Sequence, residues 1–322
     1  MELLKQYPDI QKEMNIVQQL LYDSVRSKQP MVEEAAKELI LSGGKRLRPL
    51  LVILTAMQGK YDSKVITPLA AAVELIHSAT LIHDDIIDDS KLRRGKETIQ
   101  SKWGKDIAVF TGDYLLCKAF LIVPQDEEGR NLRGLIKAMK RVCEGEIDQY
   151  YSRYTWDTTI LRYLKRIASK TAILFGVSCY LGALQAKCDI KVLHAVTKYG
   201  LSLGMAFQIT DDILDFKSDS VLAGKPVNSD FIQGIYTLPV IYTLQRTSYR
   251  KRLESLLKKN KFDEQDIKEV LYIINESGGV EYARKMAERY LERARRSISI
   301  LPDNNSKKVM ERLLETILDR MA

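Results

Sequence analysis

Apolar residues recur every three or four positions in "MNIVQQLLYDSV" (residues 14–25), "MVEEAAKELILS" (31–42), "LAAAVELIHSATLIHDD" (69–85) and "LRGLIKAMKRVCEGEIDQYY" (132–151). That is the period of helices with one buried face, and it predicts a nearly all-helical chain. The eight prolines, at 8, 30, 49, 68, 124, 226, 239 and 302, are expected between helices or at their starts rather than inside them, as the missing amide hydrogen requires. Asp263 and the "DNNS" after Pro302 are the expected helix N-caps. No Gly/Ser linker, repeat or low-complexity run divides the 322 residues. The expectation is an all-α fold: one large helical bundle over residues 1–322, with its active site in a central cavity between facing helices.

The helical pattern runs into "LIHDDIIDDSKLRRG" (81–95), where four aspartates occupy six positions behind an apolar stretch. At 3.6 residues per turn Asp84 stacks on Asp88 and Asp85 on Asp89, and like charges so spaced repel by about 0.2–0.5 kcal/mol per pair on an exposed helix. Alone, the run fits a solvated acidic patch as well as a cation site. A second stretch, "FQITDDILDF" (207–216), repeats Asp-Asp-x-x-Asp as Asp211, Asp212 and Asp215. Random placement of the chain's 22 aspartates yields only about 0.1 such patterns. Two copies, each behind an apolar helical run, read as a divalent-metal site.

Oxygen donors without a Cys or His cluster favour Mg²⁺, Mn²⁺ or Ca²⁺, and no looped, glycine-turned calcium pattern is present. Magnesium takes one or two carboxylates and completes its octahedron with waters and substrate phosphates, so twin acidic clusters imply a phosphorylated ligand. Basic residues stand nearby: Lys45, Arg46 and Arg48 follow Gly43 and Gly44 in "GGKRLRP", and Arg93 and Arg94 follow the first acidic run. Arginine offers phosphate a planar fork and lysine a mobile charge. Neither a Gly-x-x-x-x-Gly-Lys-Ser/Thr loop nor a Gly-x-Gly-x-x-Gly turn occurs, so nucleotide binding has no support.

Composition changes this picture little. The hydrophobic fraction of 45% and charged fraction of 29% are those of an ordinary soluble globular chain. Cys117, Cys143, Cys179 and Cys188 lack Cys-x-x-Cys spacing, which argues against zinc and a disulfide framework and for reduced thiols in the cytoplasm. The start "MELLKQYPDI" has no signal-peptide pattern, and no run is expected to reach the ~18 apolar residues of a membrane span. Contact with a membrane is expected to be at most peripheral. The net charge of +8 does not predict a nucleic-acid partner, because Lys and Arg alternate with Glu in "YARKMAERYLERARR" as on solvated helix faces.

The combination of "GGKRLRP", "HDDIIDDSKLRRG", "TGDYLL" (111–116), "GEIDQ" (145–149), "KTAILF" (170–175), "FQITDDILD" and "GKPVNSD" followed by "TLP" (237–239) resembles the trans-prenyl diphosphate synthases, the polyprenyl synthetase family, over almost the whole chain. The resemblance implies an isoprenoid-synthase-type helical bundle and a magnesium-dependent, head-to-tail (1′–4) condensation. Magnesium draws the diphosphate off an allylic substrate, the double bond of isopentenyl diphosphate attacks the carbocation, and a proton is lost.

Carried over by position, Asp84, Asp88, Asp211, Asp85 and Asp215 are expected to hold metal, more than one ion per site, with Asp212 and Lys170 joining them in catalysis. Lys45, Arg48, His77 and Arg94 resemble the isopentenyl diphosphate site; Arg93, Lys170, Thr171, Gln208 and Lys225 resemble the allylic site. Glu146 and Gln149 look like supports behind these. Phe207 fits either a place near the carbocation or one in the core.

One departure is Ile235, which stands in "GIYTLP" where the family commonly has a lysine. Long-chain synthases and the catalytic subunits of two-component hexaprenyl and heptaprenyl synthases resemble it in this. The C-terminal "ILDRMA" carries one arginine where several relatives have a basic cluster. Positions four and five before Asp84, Thr80 and Ala79, with Ile76 behind, lack the aromatic ring of short-chain relatives. These residues fit a long product tunnel, or merely close helix packing. The expectation is a long all-trans product of about C30–C40, for quinone side chains, from a farnesyl or geranylgeranyl diphosphate primer. The partners implied are a second copy or a smaller dissimilar subunit. The alternatives are a farnesyl or geranylgeranyl diphosphate synthase, a non-catalytic partner subunit, and a terpene-cyclising enzyme, which would not need "GGKRLRP" with His77.

Overall fold

Sixteen α-helices make up most of the described structure. The computed structural model describes residues 2–93, 95–126, 128–216, 229–245, 247–259 and 262–321. The helices are α1 (Pro8–Ser24), α2 (Pro30–Leu41), α3 (Leu47–Ala56), α4 (Ser63–Ile87), α5 (Ile99–Trp103), α6 (Lys105–Ile122), α7 (Arg130–Tyr151) and α8 (Ile160–Ile167). They continue as α9 (Ile173–Gln185), α10 (Ile190–Leu214), α11 (Ser229–Ile232), α12 (Leu238–Leu244), α13 (Thr247–Leu257), α14 (Glu264–Glu276), α15 (Gly279–Ser297) and α16 (Asn305–Asp319). Among the described residues the only strands are β1 (Leu92–Arg93) and β2 (Lys96–Glu97), an antiparallel pair. The all-α expectation is borne out.

The chain forms two compact units. One comprises Met1–Met139, Val177–Thr197 and Ile300–Met310; the other Lys140–Gly176, Lys198–Ser299 and Glu311–Ala322. In the first, α4 is the core helix, packed on α1, α3 and α6, with every residue from Leu69 to Ile76 buried. In the second, α12 packs on α8, α13, α14 and α15.

Both expected N-caps are present. Asp263 accepts from the Asp266 amide at 2.8 Å in a reciprocal capping box, and Asn304 accepts from the Lys307 amide at 2.9 Å. Two expectations fail. Pro68 lies inside α4, not at its start, one position after Thr67, whose hydroxyl donates to the Ser63 carbonyl at 2.7 Å. Two helical stretches, Ser63–Ile87 and Ile160–Gln185, are also long and apolar enough to cross a membrane. Most of each is buried within the protein, so the apolarity that a core helix needs has produced the same composition.

Candidate active site

The first acidic run sits where a helix least tolerates it. Unsatisfied carbonyls give a helix C-terminus negative character, and α4 ends there with Asp84 in its last turn and Asp88 as its C-cap. Asp84 and Asp88 are half-buried on one face. Asp85, one residue round the helix, is 6% exposed and gripped by Arg93, whose Nε lies 2.9 and 3.0 Å from its two oxygens and Nη2 2.8 Å from one. Gln100 donates to the Asp85 and Ser90 carbonyls, fastening α5 to the same corner. Burial pushes the Asp85 carboxyl up, against the opposing effect of Arg93. Asp89 does not stack on Asp85 as helical spacing suggests. The helix ends at Ile87, the Asp89 φ is 47°, and its exposed carboxylate pairs with Lys105 at 3.1 Å and Lys91 at 3.4 Å.

His77 and Thr80 are half-buried and share the Asp84 face of α4, and the Thr80 hydroxyl donates to the His77 carbonyl at 2.8 Å. Ala79 and Ile76 are fully buried. They share instead the face of His83, whose ring lies against Gly112 of α6; a Cβ at Gly112 would meet His83 Nε2 at 2.3 Å. Of the three residues expected to govern chain length, Thr80 therefore shares the metal-motif face, and Ala79 and Ile76 lie toward a closely packed neighbour.

In "GGKRLRP", Lys45 is exposed and Arg48 half-buried. Arg46 is turned inward: it pairs with buried Glu74 of α4 at 2.7 Å and donates to the Ile40 carbonyl at 2.6 Å. Its φ of 43° is unusual for a side-chain-bearing residue, and a position so over-determined can hold it. Arg94 lies outside the described residues.

The second acidic run closes α10 in the same way. Asp211 and Asp215 are half-buried, while Asp212 is 4% exposed. It accepts from the Tyr163 hydroxyl at 2.6 Å and the Gln208 amide at 2.9 Å. Arg320, the lone arginine of the C-terminus, donates to Asp211 Oδ1 at 2.7 Å and stands 5.3 Å above the half-buried Phe207 ring. Phe207 in turn contacts Phe175, centroids 5.5 Å apart.

Lys170 and Thr171 occupy a π-helical turn, Ala168–Ala172, joining α8 to α9; such turns concentrate at functional positions. Gly145 of α7 makes room for it, since a Cβ there would lie 2.8 Å from the Lys170 amide nitrogen. The neighbouring Glu146 pairs with Lys170 Nζ at 2.8 Å, and Gln149 is half-buried further along α7. The Thr171 hydroxyl donates to Gln208 Oε1 at 2.7 Å. Ile235 is 6% exposed, so the position of the missing lysine holds an apolar side chain packed inward. Lys225 lies outside the described residues.

Burial raises the Asp212 carboxyl to about 7. A carboxyl that holds its proton longer in the folded chain contributes stability that is complete below the unfolded value near 4 and is lost as pH rises through the folded one. Metal-free protein is therefore expected to lose stability between pH 4 and about 7, and Asp212→Asn to flatten that slope. Thermal unfolding of both proteins across this range is the check; parallel curves would contradict it.

The polyprenyl synthetase family matches residues 29–274. The chain belongs to that family. It is 37% identical over 301 residues to heptaprenyl diphosphate synthase component 2 of Bacillus subtilis, covering 94% of this chain and 86% of the relative. Among solved structures, geranylgeranyl pyrophosphate synthase from Lactobacillus brevis superimposes with a TM-score of 0.91 at 34% identity, covering 98% of this chain and 99% of that one. A polyprenyl synthase from Caulobacter crescentus, complexed with calcium and isoprenyl diphosphate, gives 0.89 at 33%, covering 99% and 97%. This polyprenyl synthetase is a prenyltransferase, a trans-prenyl diphosphate synthase acting on isoprenyl diphosphates.

The donor set of the synthase fits a hard cation. Among the described residues no three His, Cys, Asp or Glu side chains gather as a ready-made metal cage. Each acidic run instead offers two half-buried carboxylates at a helix C-terminus, where added positive charge is favourable. Two carboxylates, with water and phosphate oxygens making up the rest, are what magnesium accepts. Sequence reasoning missed Glu74, Gln100, Tyr163 and Arg166; none belongs to either aspartate run or to "GGKRLRP", and their partners lie 10 to 70 residues away.

Proposed function

We propose that this synthase elongates an allylic primer, farnesyl or geranylgeranyl diphosphate, with isopentenyl diphosphate to about six to eight isoprene units, using Mg²⁺, in the cytoplasm. The observation that carries the metal assignment is the pair of Asp-Asp-x-x-Asp triplets at the C-termini of α4 and α10, each with its outer two carboxylates half-buried and its middle one buried. Bound magnesium supplies the positive charge that makes diphosphate a better leaving group. Asp84 and Asp88 at the end of α4, and Asp211 and Asp215 at the end of α10, would each hold it. Lys45, Arg48 and His77, with Arg94, take the diphosphate of isopentenyl diphosphate; Lys170, Thr171 and Gln208, with Lys225, take the allylic one. Arg93, already on Asp85, serves the allylic side by holding that corner of α4.

In the reaction the allylic C1–O bond breaks and diphosphate leaves with the electron pair. The alkene of isopentenyl diphosphate forms the new carbon–carbon bond, and one proton is lost. Support for a long product comes from the Asp84 face of α4, where Thr80 stands in place of an aromatic ring, and from the heptaprenyl activity in the name of the Bacillus relative.

The word "component" in that name supports pairing with another subunit, a second copy or a smaller dissimilar one. So does an exposed stripe along α7, Leu132, Ile136, Cys143, Ile147, Tyr150 and Tyr151, too apolar and continuous for a surface facing only water. Incubating the purified protein with farnesyl diphosphate, labelled isopentenyl diphosphate and Mg²⁺ is expected to yield C30–C40 chains, alone or after adding a partner. Products confined to C15–C20 under both conditions would overturn the long-chain reading.

A further inference from the structure

We propose that Tyr163 is a positioning residue for the allylic diphosphate half of the site, acting through Asp212 and Gln208 on the π-turn that carries Lys170 and Thr171. The inference rests on the assignment of Lys170, Thr171 and Gln208 to that substrate. Tyr163 is fully buried on α8, and its hydroxyl donates to Asp212 Oδ2 at 2.6 Å. The other carboxylate oxygen, Oδ1, accepts from Gln208 Nε2 at 2.9 Å. With its nitrogen committed to a carboxylate, the Gln208 amide has one orientation, and its oxygen accepts from Thr171 Oγ1 at 2.7 Å. Four side chains thus form a chain of bonds in which each donor and acceptor is specified. It begins in the buried face of α8, crosses the last turns of α10 and ends on the π-turn.

Nothing but the hydroxyl of Tyr163 is needed for this, and a tyrosine is a costly way to fill a core, because its oxygen must find a partner when buried. The same helix face presents Arg166, 5% exposed, which donates to the Tyr236 carbonyl at 2.8 Å and to Ser152 Oγ at 3.1 Å. The end of α8 therefore holds the residue just after α7, the end of α10 and the segment before α12 together from one side. Loss of the Tyr163 hydroxyl would leave Asp212 with one donor fewer, free to rotate and release Gln208; the π-turn would then lose this tie to α10.

The test is Tyr163→Phe in steady-state kinetics with each substrate varied. The expected result is a KM for the allylic diphosphate raised about tenfold, the size of one hydrogen bond to a charged group, with the KM for isopentenyl diphosphate within about twofold. In a Thr171→Val background Tyr163→Phe is expected to add nothing further, since both break one chain. A merely structural tyrosine would lower the unfolding temperature, move both constants together and add fully to Thr171→Val. If Thr171→Val raises the allylic KM but Tyr163→Phe does not, the positioning role is wrong and the site assignment stands. If Thr171→Val itself leaves the allylic KM unchanged, the site assignment fails first. Should Tyr163→Phe not fold, Asp212→Leu keeps the size and removes the acceptor that holds Gln208; it is expected to give the same selective rise, and an unchanged allylic KM there would also overturn the proposal.

Discussion

Asp84→Ala and Asp211→Ala are each expected to lower kcat about 10²- to 10³-fold, the usual cost of removing a group that acts on charge developing in the transition state, with little change in unfolding temperature. Asp85→Ala is expected to behave differently, although it is Asp84's neighbour in sequence. Asp84 is half-buried and shares its face with Asp88, so its removal takes away a proposed cation ligand without leaving a hole in the core. Asp85 is buried under the Arg93 guanidinium, so its removal strands a cation and loosens the corner where Gln100 ties α5 to α4. The expected cost there is about 1–3 kcal/mol of stability, with a smaller loss of turnover. Kinetics and thermal unfolding of the three variants side by side decide this. Equal losses of kcat in all three at unchanged stability would mean that Asp85 is a working ligand and its pairing with Arg93 incidental.

Thr80→Tyr is expected to shorten the product to about three or four isoprene units while leaving the first condensation intact. Thr80 lies one turn before Asp84 on the same half-buried face, so a phenol ring there projects beside the proposed start of elongation. Ala79→Tyr would also test the tunnel, but Ala79 is fully buried on the side of α4 that approaches Gly112. Overpacking such a contact costs typically about 1–3 kcal/mol, and a shortened product would then be hard to separate from a distorted helix pair. Product sizing by chromatography is the measurement. An active, folded Thr80→Tyr enzyme with the wild-type product distribution would place the limit on chain length elsewhere.

Much was legible in the sequence because it depends on local repetition. A 3.6-residue period is written wherever a helix buries one face, so α1, α2, α4 and α7 could be read directly, and Asp263 declared itself as a cap. The two Asp-Asp-x-x-Asp runs pointed to cation chemistry by rarity, and the order of seven motifs implied the family. Sequence could not say which aspartates are buried and which partners they take, because that depends on packing. Tyr163 and Asp212 are 49 residues apart, Arg46 and Glu74 28, and Arg320 and Asp211 109. Helical spacing paired Asp85 with Asp89 because it assumes that the helix continues, and only the folded chain decided that it stops at Ile87. Nor does any local signal mark a π-turn at Lys170; it arises where Gly145 of another helix lets the backbone approach. By itself, then, the sequence determined where the helices run and which residue types supply the chemistry, since both follow from neighbours along the chain. Tertiary structure alone divided each acidic triplet into two half-buried carboxylates and one buried anchor, because burial and hydrogen-bond partners are properties of residues that meet only after folding.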